Sequence, residues 1–94
     1  MHLITFIFRI PQDDHAEFVQ TAHETVEKWR GMQISCSLFR DKSDPCRFFL
    51  LFLTDKSVET LTELIHSESW AKATFEIIKE SSKGVEVSFY EQVF

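Results

Sequence analysis

From Phe48 to Leu53 every position is large and apolar, a run that would leave a strand no face for water. Side chains alternate along a strand, so Phe48, Leu50 and Phe52 point to one side and Phe49, Leu51 and Leu53 to the other. Burying one such side chain is worth ~1.5–3 kcal/mol, so leaving either triplet wet would forgo roughly 5–9 kcal/mol, the order of a small domain's whole stability. The run therefore predicts a strand covered on both sides, by helices on one and by a partner on the other. Residues 2–10 repeat this two-sided character, with Ile4, Phe6, Phe8 and Ile10 opposing Leu3, Thr5 and Ile7. Two further segments alternate more cleanly and read as half-wet edge strands. In residues 32–40, Met32, Ile34, Cys36 and Leu38 oppose Gln33, Ser35 and Ser37; in residues 85–93, Val85, Val87 and Phe89 oppose Glu86, Ser88, Tyr90 and Gln92.

Between these segments the period changes. Pro11 stops the first strand, Asp14 with Glu17 three residues on has the form of a capping box, and Phe18, Val19, Ala22, Val26 and Trp29 make the apolar stripe of a helix that Gly31 ends near Arg30. The cluster Asp41-Lys42-Ser43-Asp44-Pro45 reads as a hairpin turn. Asp55 or Ser57 offers an N-cap for a second helix with the stripe Val58, Leu61, Leu64 and Ile65, running to about His66. Ser67-Glu68-Ser69 interrupts it. A further helix follows with Trp70, Ala71, Thr74, Phe75, Ile77 and Ile78 on its inner face, and Gly84 ends it. The order β-α-β-β-α-β predicts an α+β, ferredoxin-like fold: an antiparallel four-stranded sheet with strands one and three central, strands two and four at the edges, and the helices on one face.

The 94 residues, 44% hydrophobic and 27% charged, fit one globular domain spanning residues 1–94. A chain this short buries only about two-thirds of its unfolded surface, so a second subunit would add to its stability. The formal charge of −5, with Lys and Arg scattered, argues against nucleic acid or an anionic membrane as partner. No apolar stretch approaches the ~20 residues of a membrane span and no signal-peptide pattern opens the chain, so a cytoplasmic location is expected. Cys36 and Cys46 lack metal-site spacing, and a hairpin about Ser43 and Asp44 would pair Cys36 with a residue near Leu51, so two free thiols are expected, with no metal and no other cofactor.

Several features together bring a family into view. Leu38-Phe39-Arg40-Asp41, Asp44-Pro45-Cys46-Arg47-Phe48, the break His66-Ser67-Glu68-Ser69-Trp70 and the final Phe89-Tyr90-Glu91 resemble the antibiotic biosynthesis monooxygenase domain family of dimeric α+β barrels. The last helical feature matches loosely, since the aromatic follows the serine directly. The resemblance implies a homodimer whose sheets pack face to face and a cavity between sheet and helices; pattern alone does not say which triplet of the third strand meets the partner, and Phe49, Leu51 and Leu53, with Tyr90, are the candidates for the interface. It implies for some members the cofactor-free oxidation of an aromatic phenol or quinol by O2, for which the protein deprotonates the phenol and holds its anion in a dry pocket. Trp70, Phe18, Trp29 and Phe75 are then the candidates for meeting a small aromatic ligand.

His66, at the helix break, is the candidate catalytic base; its bland alternative is to complement the dipole at a helix C-terminus. The chain departs from the family in having no asparagine, in placing Phe52-Leu53-Thr54 where a glutamate often closes the third strand, and in offering Leu64 and Thr74 where the haem-degrading branch has tryptophan and histidine. These departures argue against haem degradation. They also keep a second reading open, a non-catalytic barrel that binds a ligand or fills its cavity with Phe18, Trp29, Trp70 and Phe75. Among the remaining polar candidates, His15 and His23 on the first helix read as surface or cap residues, and Arg40 and Arg47 with Asp41 and Asp44 as ion pairs pinning the hairpin.

Overall fold

The computed structural model describes residues 1–82 and 84–94. Its strands are β1 (His2–Arg9), β2 (Ser35–Arg40), β3 (Arg47–Thr54) and β4 (Glu86–Glu91), and its helices α1 (His15–Gly31), α2 (Val58–Ser67) and α3 (Ser69–Ser81). The sheet is antiparallel in the order β2-β3-β1-β4, so the two segments that are apolar on both faces are the central strands. The register sets Ile4 beside Phe52, Phe6 beside Leu50 and Phe8 beside Phe48. These six share the helix-covered face, and all but Phe6 are buried. Phe49, Leu51 and Leu53 lie on the opposite, uncovered face, half-buried or exposed.

Local chemistry explains the boundaries, and in three places corrects the expectation. After Pro11 a short 3-10 turn, Gln12–Asp14, precedes α1; Asp14 has helical backbone angles and makes no side-chain cap, so the expected capping box does not form. His15 takes over the tethering. Its Nε2 donates to the Ile10 carbonyl at 2.7 Å and its ring stands edge-on to Phe48 at 5.2 Å, which makes it an anchor rather than a surface residue. At the other end, α1 includes Gly31, and the left-handed residue is Gln33, with φ 62°. That turn is tight because Ile34 must donate to the Trp29 carbonyl at 3.0 Å and bury its side chain completely. β2 consequently begins at Ser35, three residues later than the alternation suggested. Finally, α3 ends at Ser81, ahead of Gly84.

α2 starts as expected, with Ser57 Oγ accepting from the Thr60 N–H at 3.1 Å. A single extended residue, Glu68, then separates it from α3. The hairpin is pinned by the expected Arg47–Asp41 pair at 3.3 Å, but Asp44 pairs with Arg9 of β1, and Arg40 joins neither. Cys36 pairs across the hairpin with Phe52, and both cysteines are free thiols.

Candidate functional site: a hollow beside β4

The helix layer does not cover the sheet evenly. α1 packs beside β2 and α3 beside β1, whereas α2 lies against α3 and brings no Cα within 8 Å of any described strand residue. Over β2 and β3 the space is filled: Trp29, Phe18, Phe48 and Phe52 are almost wholly buried, with Phe18 edge-on to Phe8 at 5.5 Å and Trp29 edge-on to Phe52 at 5.2 Å. Toward β4 the space under α2 stays open. It forms a cavity of about 420 Å3, within the usual size range of small-molecule sites.

The sequence builds this cavity from three short stripes. On α2, Val58, Leu61, Thr62, Ile65 and His66 face inward at the three- and four-residue spacing that shares one helical face. On α3 the same spacing brings in Phe75, Ile78 and Lys79. The sheet supplies Ile4, Phe6 and Phe52 as a floor and Val87 and Phe89 as the β4 wall. Phe6 meets Phe52 edge-on at 5.9 Å and Phe75 at 5.1 Å, so the floor is an aromatic corner. Val87 and Phe89 remain 43% and 58% exposed although they point to the helix side, because no helix lies directly on them.

Three polar groups interrupt this apolar lining. The Thr62 hydroxyl donates to the Val58 carbonyl at 2.8 Å and keeps only acceptor capacity. His66, in the last turn of α2, and Lys79, in the last turn of α3, have no hydrogen-bond or ion-pair partner among the described residues. A cavity so lined can hold an apolar ring system, exclude much of the water around it, and offer an imidazole to a proton and an ammonium to an anion.

Of the residues singled out from sequence, His66 and Phe75 line this cavity. Phe18 and Trp29 do not: both are sealed in the filled half of the core. Trp70 does not either. It stacks edge-on against Trp29 at 4.8 Å, with the Lys28 ammonium 5.9 Å from its ring centre. The buried Trp29 Nε1 has no hydrogen-bond acceptor among the described residues. Leu64 and Thr74 are also absent from the lining, and Thr74 spends its hydroxyl on Thr25 at 2.5 Å.

Phe6, Phe52, Val87, Phe89 and Lys79 also belong to the site, beyond the residues that sequence marks as candidates. Their signal was present, since Val87 and Phe89 form the apolar side of an edge strand and Lys79 follows Phe75 by four. Phe49, Leu51, Leu53 and Tyr90 lie together on the opposite face, where Tyr90 stands beside Leu3. Burial pushes the Cys36 thiol up to about 12, so it stays protonated and unreactive at neutral pH. Among the described residues no three His, Cys, Asp or Glu groups converge as a metal site, and no helix is long and apolar enough to cross a membrane.

The molecule is thus a ferredoxin-like α+β sheet-and-helix layer with a cavity at one edge. No family model and no curated protein matches the chain. Solved structures do. A protein described as an antibiotic biosynthesis monooxygenase superposes with a TM-score of 0.82 over 99% of both chains at 17% identity. A Nitrosomonas europaea protein assigned the same description gives 0.81 over 100% of both at 11%. A conserved protein from Methanosarcina mazei Go1, whose name states no activity, gives 0.77 over 97% of this chain and 91% of its own at 16%. The chain therefore has the fold found in antibiotic biosynthesis monooxygenases, as its hairpin and helix-break motifs implied. At these identities the likeness carries the fold alone, and the same fold is found in a protein named for no reaction.

Proposed function

We propose that this chain is a cytoplasmic, homodimeric small-molecule-binding protein whose cavity accepts an apolar aromatic ligand, and that its reaction is the cofactor-independent monooxygenation of a phenol or quinol. The observation that carries the reading is the cavity itself, apolar on nearly every side and presenting one imidazole, that of His66. In the proposed reaction His66 removes the phenolic proton. The resulting anion lies against Phe6, Phe52 and Phe75, where little water competes for its charge, and supplies electrons directly to O2. One oxygen atom enters the ring and the other leaves as water, with the substrate providing both the protons and the electrons.

Dimerisation supplies what one chain lacks, a cover for Phe49, Leu51, Leu53 and Tyr90. Leu53 and Tyr90 are 40% and 54% exposed on a face that also bears Leu3 and Ile7 of β1 and Phe49 and Leu51 of β3. A contiguous apolar sheet face of this kind favours a second copy laid against it.

Oxygen uptake with a panel of hydroquinones and naphthols, in the presence of chelator, tests the reaction. Turnover that falls at least about tenfold in His66→Ala is expected for a general base. No turnover above that variant removes the enzymatic reading. A second reading, a binding protein without catalysis, draws support from His66 having no hydrogen-bonded group among the described residues to orient it, whereas a base is ordinarily held by one. Saturable naphthol binding without oxygen uptake is its signature.

A further inference from the structure

We infer that the ligand of this cavity is an aromatic acid, an apolar ring body bearing a carboxylate, and that Lys79 is the residue that selects for it. The inference rests on the cavity being the ligand site, as proposed above, and adds the charge of the ligand.

Lys79 stands four residues after Phe75 and one after Ile78, so the α3 face that supplies the hydrophobic wall also supplies an ammonium group. No carboxylate lines the cavity with it. Glu76 and Glu80 are its neighbours on α3, yet neither lines the cavity nor forms an ion pair with it. The net charge of the chain is −5, and its described Lys and Arg pairs take Arg9, Arg30 and Arg47. None of the five described lysines forms an ion pair, so what sets Lys79 apart is its place, at the edge of an apolar hollow that has no carboxylate in its described lining. Among the described residues His66 is the other lining group that can carry positive charge, and Thr62 has no hydrogen left to donate. A neutral hydrocarbon would leave Lys79 unused. A carboxylate at the rim gains a charge-assisted hydrogen bond from it while the ring fills the corner of Phe6, Phe52 and Phe75.

The ordinary role of a lysine in the last turn of a helix is to complement the helix dipole, and the test separates the two. Naphthoate and acetylnaphthalene share a shape and differ in charge. Calorimetric titration of the full chain is expected to show naphthoate binding more tightly than acetylnaphthalene. Lys79→Met weakens naphthoate about fivefold and leaves acetylnaphthalene within about twofold, while Lys79→Arg retains the preference. Because Lys79 is exposed, these variants fold, and a matched melting profile verifies it. Equal affinity for the two ligands in the native protein, or an equal loss of both in Lys79→Met, overturns the inference and leaves the proposed cavity function standing. If neither ligand binds, both fall.

Discussion

Two halves of one sheet face behave differently. Over β2 and β3, α1 fills the space by setting Trp29 and Phe18 against Phe48 and Phe52 of the sheet until nothing is left for a ligand; over the edge of β1 and β4, α2 stands away and leaves a cavity whose walls are half-wet. Both halves are made of similar residues, chiefly phenylalanine and branched aliphatics. What separates core from site here is therefore placement of the covering helix and not the chemistry of the side chains. The one-residue link at Glu68 ties α2 to α3, so α2 follows α3 instead of the sheet.

The sharpest test of this contrast is a pair of truncations. Trp29→Ala in the filled half leaves a void that its rigid neighbours cannot close, and should cost about 3–5 kcal/mol in chemical denaturation. Phe75→Ala removes a half-buried ring that already faces open space, and should cost about 1–2 kcal/mol while weakening any aromatic ligand. Equal costs would show the two halves to be packed alike and would break the comparison.

The two faces of β3 offer a second contrast. Phe48, Leu50 and Phe52 are sealed by the chain's own helices, whereas Phe49, Leu51 and Leu53 lie on the uncovered face that the proposed dimer would bury. Leu51→Asp would place two carboxylates in the proposed symmetric interface and should weaken it by about 2–4 kcal/mol, read by light scattering as a shift toward monomer. A native protein that is already a stable monomer at micromolar concentration would remove the dimer.

Filling the hollow gives a smaller effect. Val87→Phe adds volume where there is room, and should change stability by less than about 1 kcal/mol, against about 1–3 kcal/mol lost when Ala22→Leu is forced into the filled half. The same Val87→Phe should reduce naphthol binding, because it occupies the wall that the ligand would touch.

The fold was legible because strand position leaves a direct mark on composition. A central strand must be apolar on both faces and an edge strand need not be, and β1 and β3 stood out on that ground alone. The site was only partly legible. His66 and Phe75 were found because a helix break and a helical stripe are local features. An aromatic stripe on α1 looks the same whether the helix lies flush or stands off, so sequence places Phe18 and Trp29 at a cavity, and the difference is decided by packing between distant segments. Gln33 was missed for a related reason. Gly31 was the obvious residue for a left-handed turn, yet the position was set by the need to seat Ile34 in the core.

The last and smallest effect concerns the hairpin, which holds the filled half at its far end. The Asp41 carboxylate accepts from the Ser43 N–H at 2.7 Å and, more weakly, pairs with Arg47; Asp44 is held chiefly by Arg9. Each partner favours the ionised form, so both carboxyls lie below their ordinary value of 3.8 in the folded chain. The folded chain thus binds these protons less readily than the unfolded one. Their contribution is complete above the ordinary value and disappears as pH falls through the lower folded values. Both groups are half-buried and reach solvent, so the loss is small and screened by salt. Asp44→Asn should flatten the acid limb of the stability curve below about pH 4, and high salt should flatten it in the native chain. Since Asp44 ties β1 to the hairpin beside the filled half, its loss should leave naphthol binding in the distant cavity unchanged. A joint fall in ligand affinity would mean that the two halves are mechanically coupled.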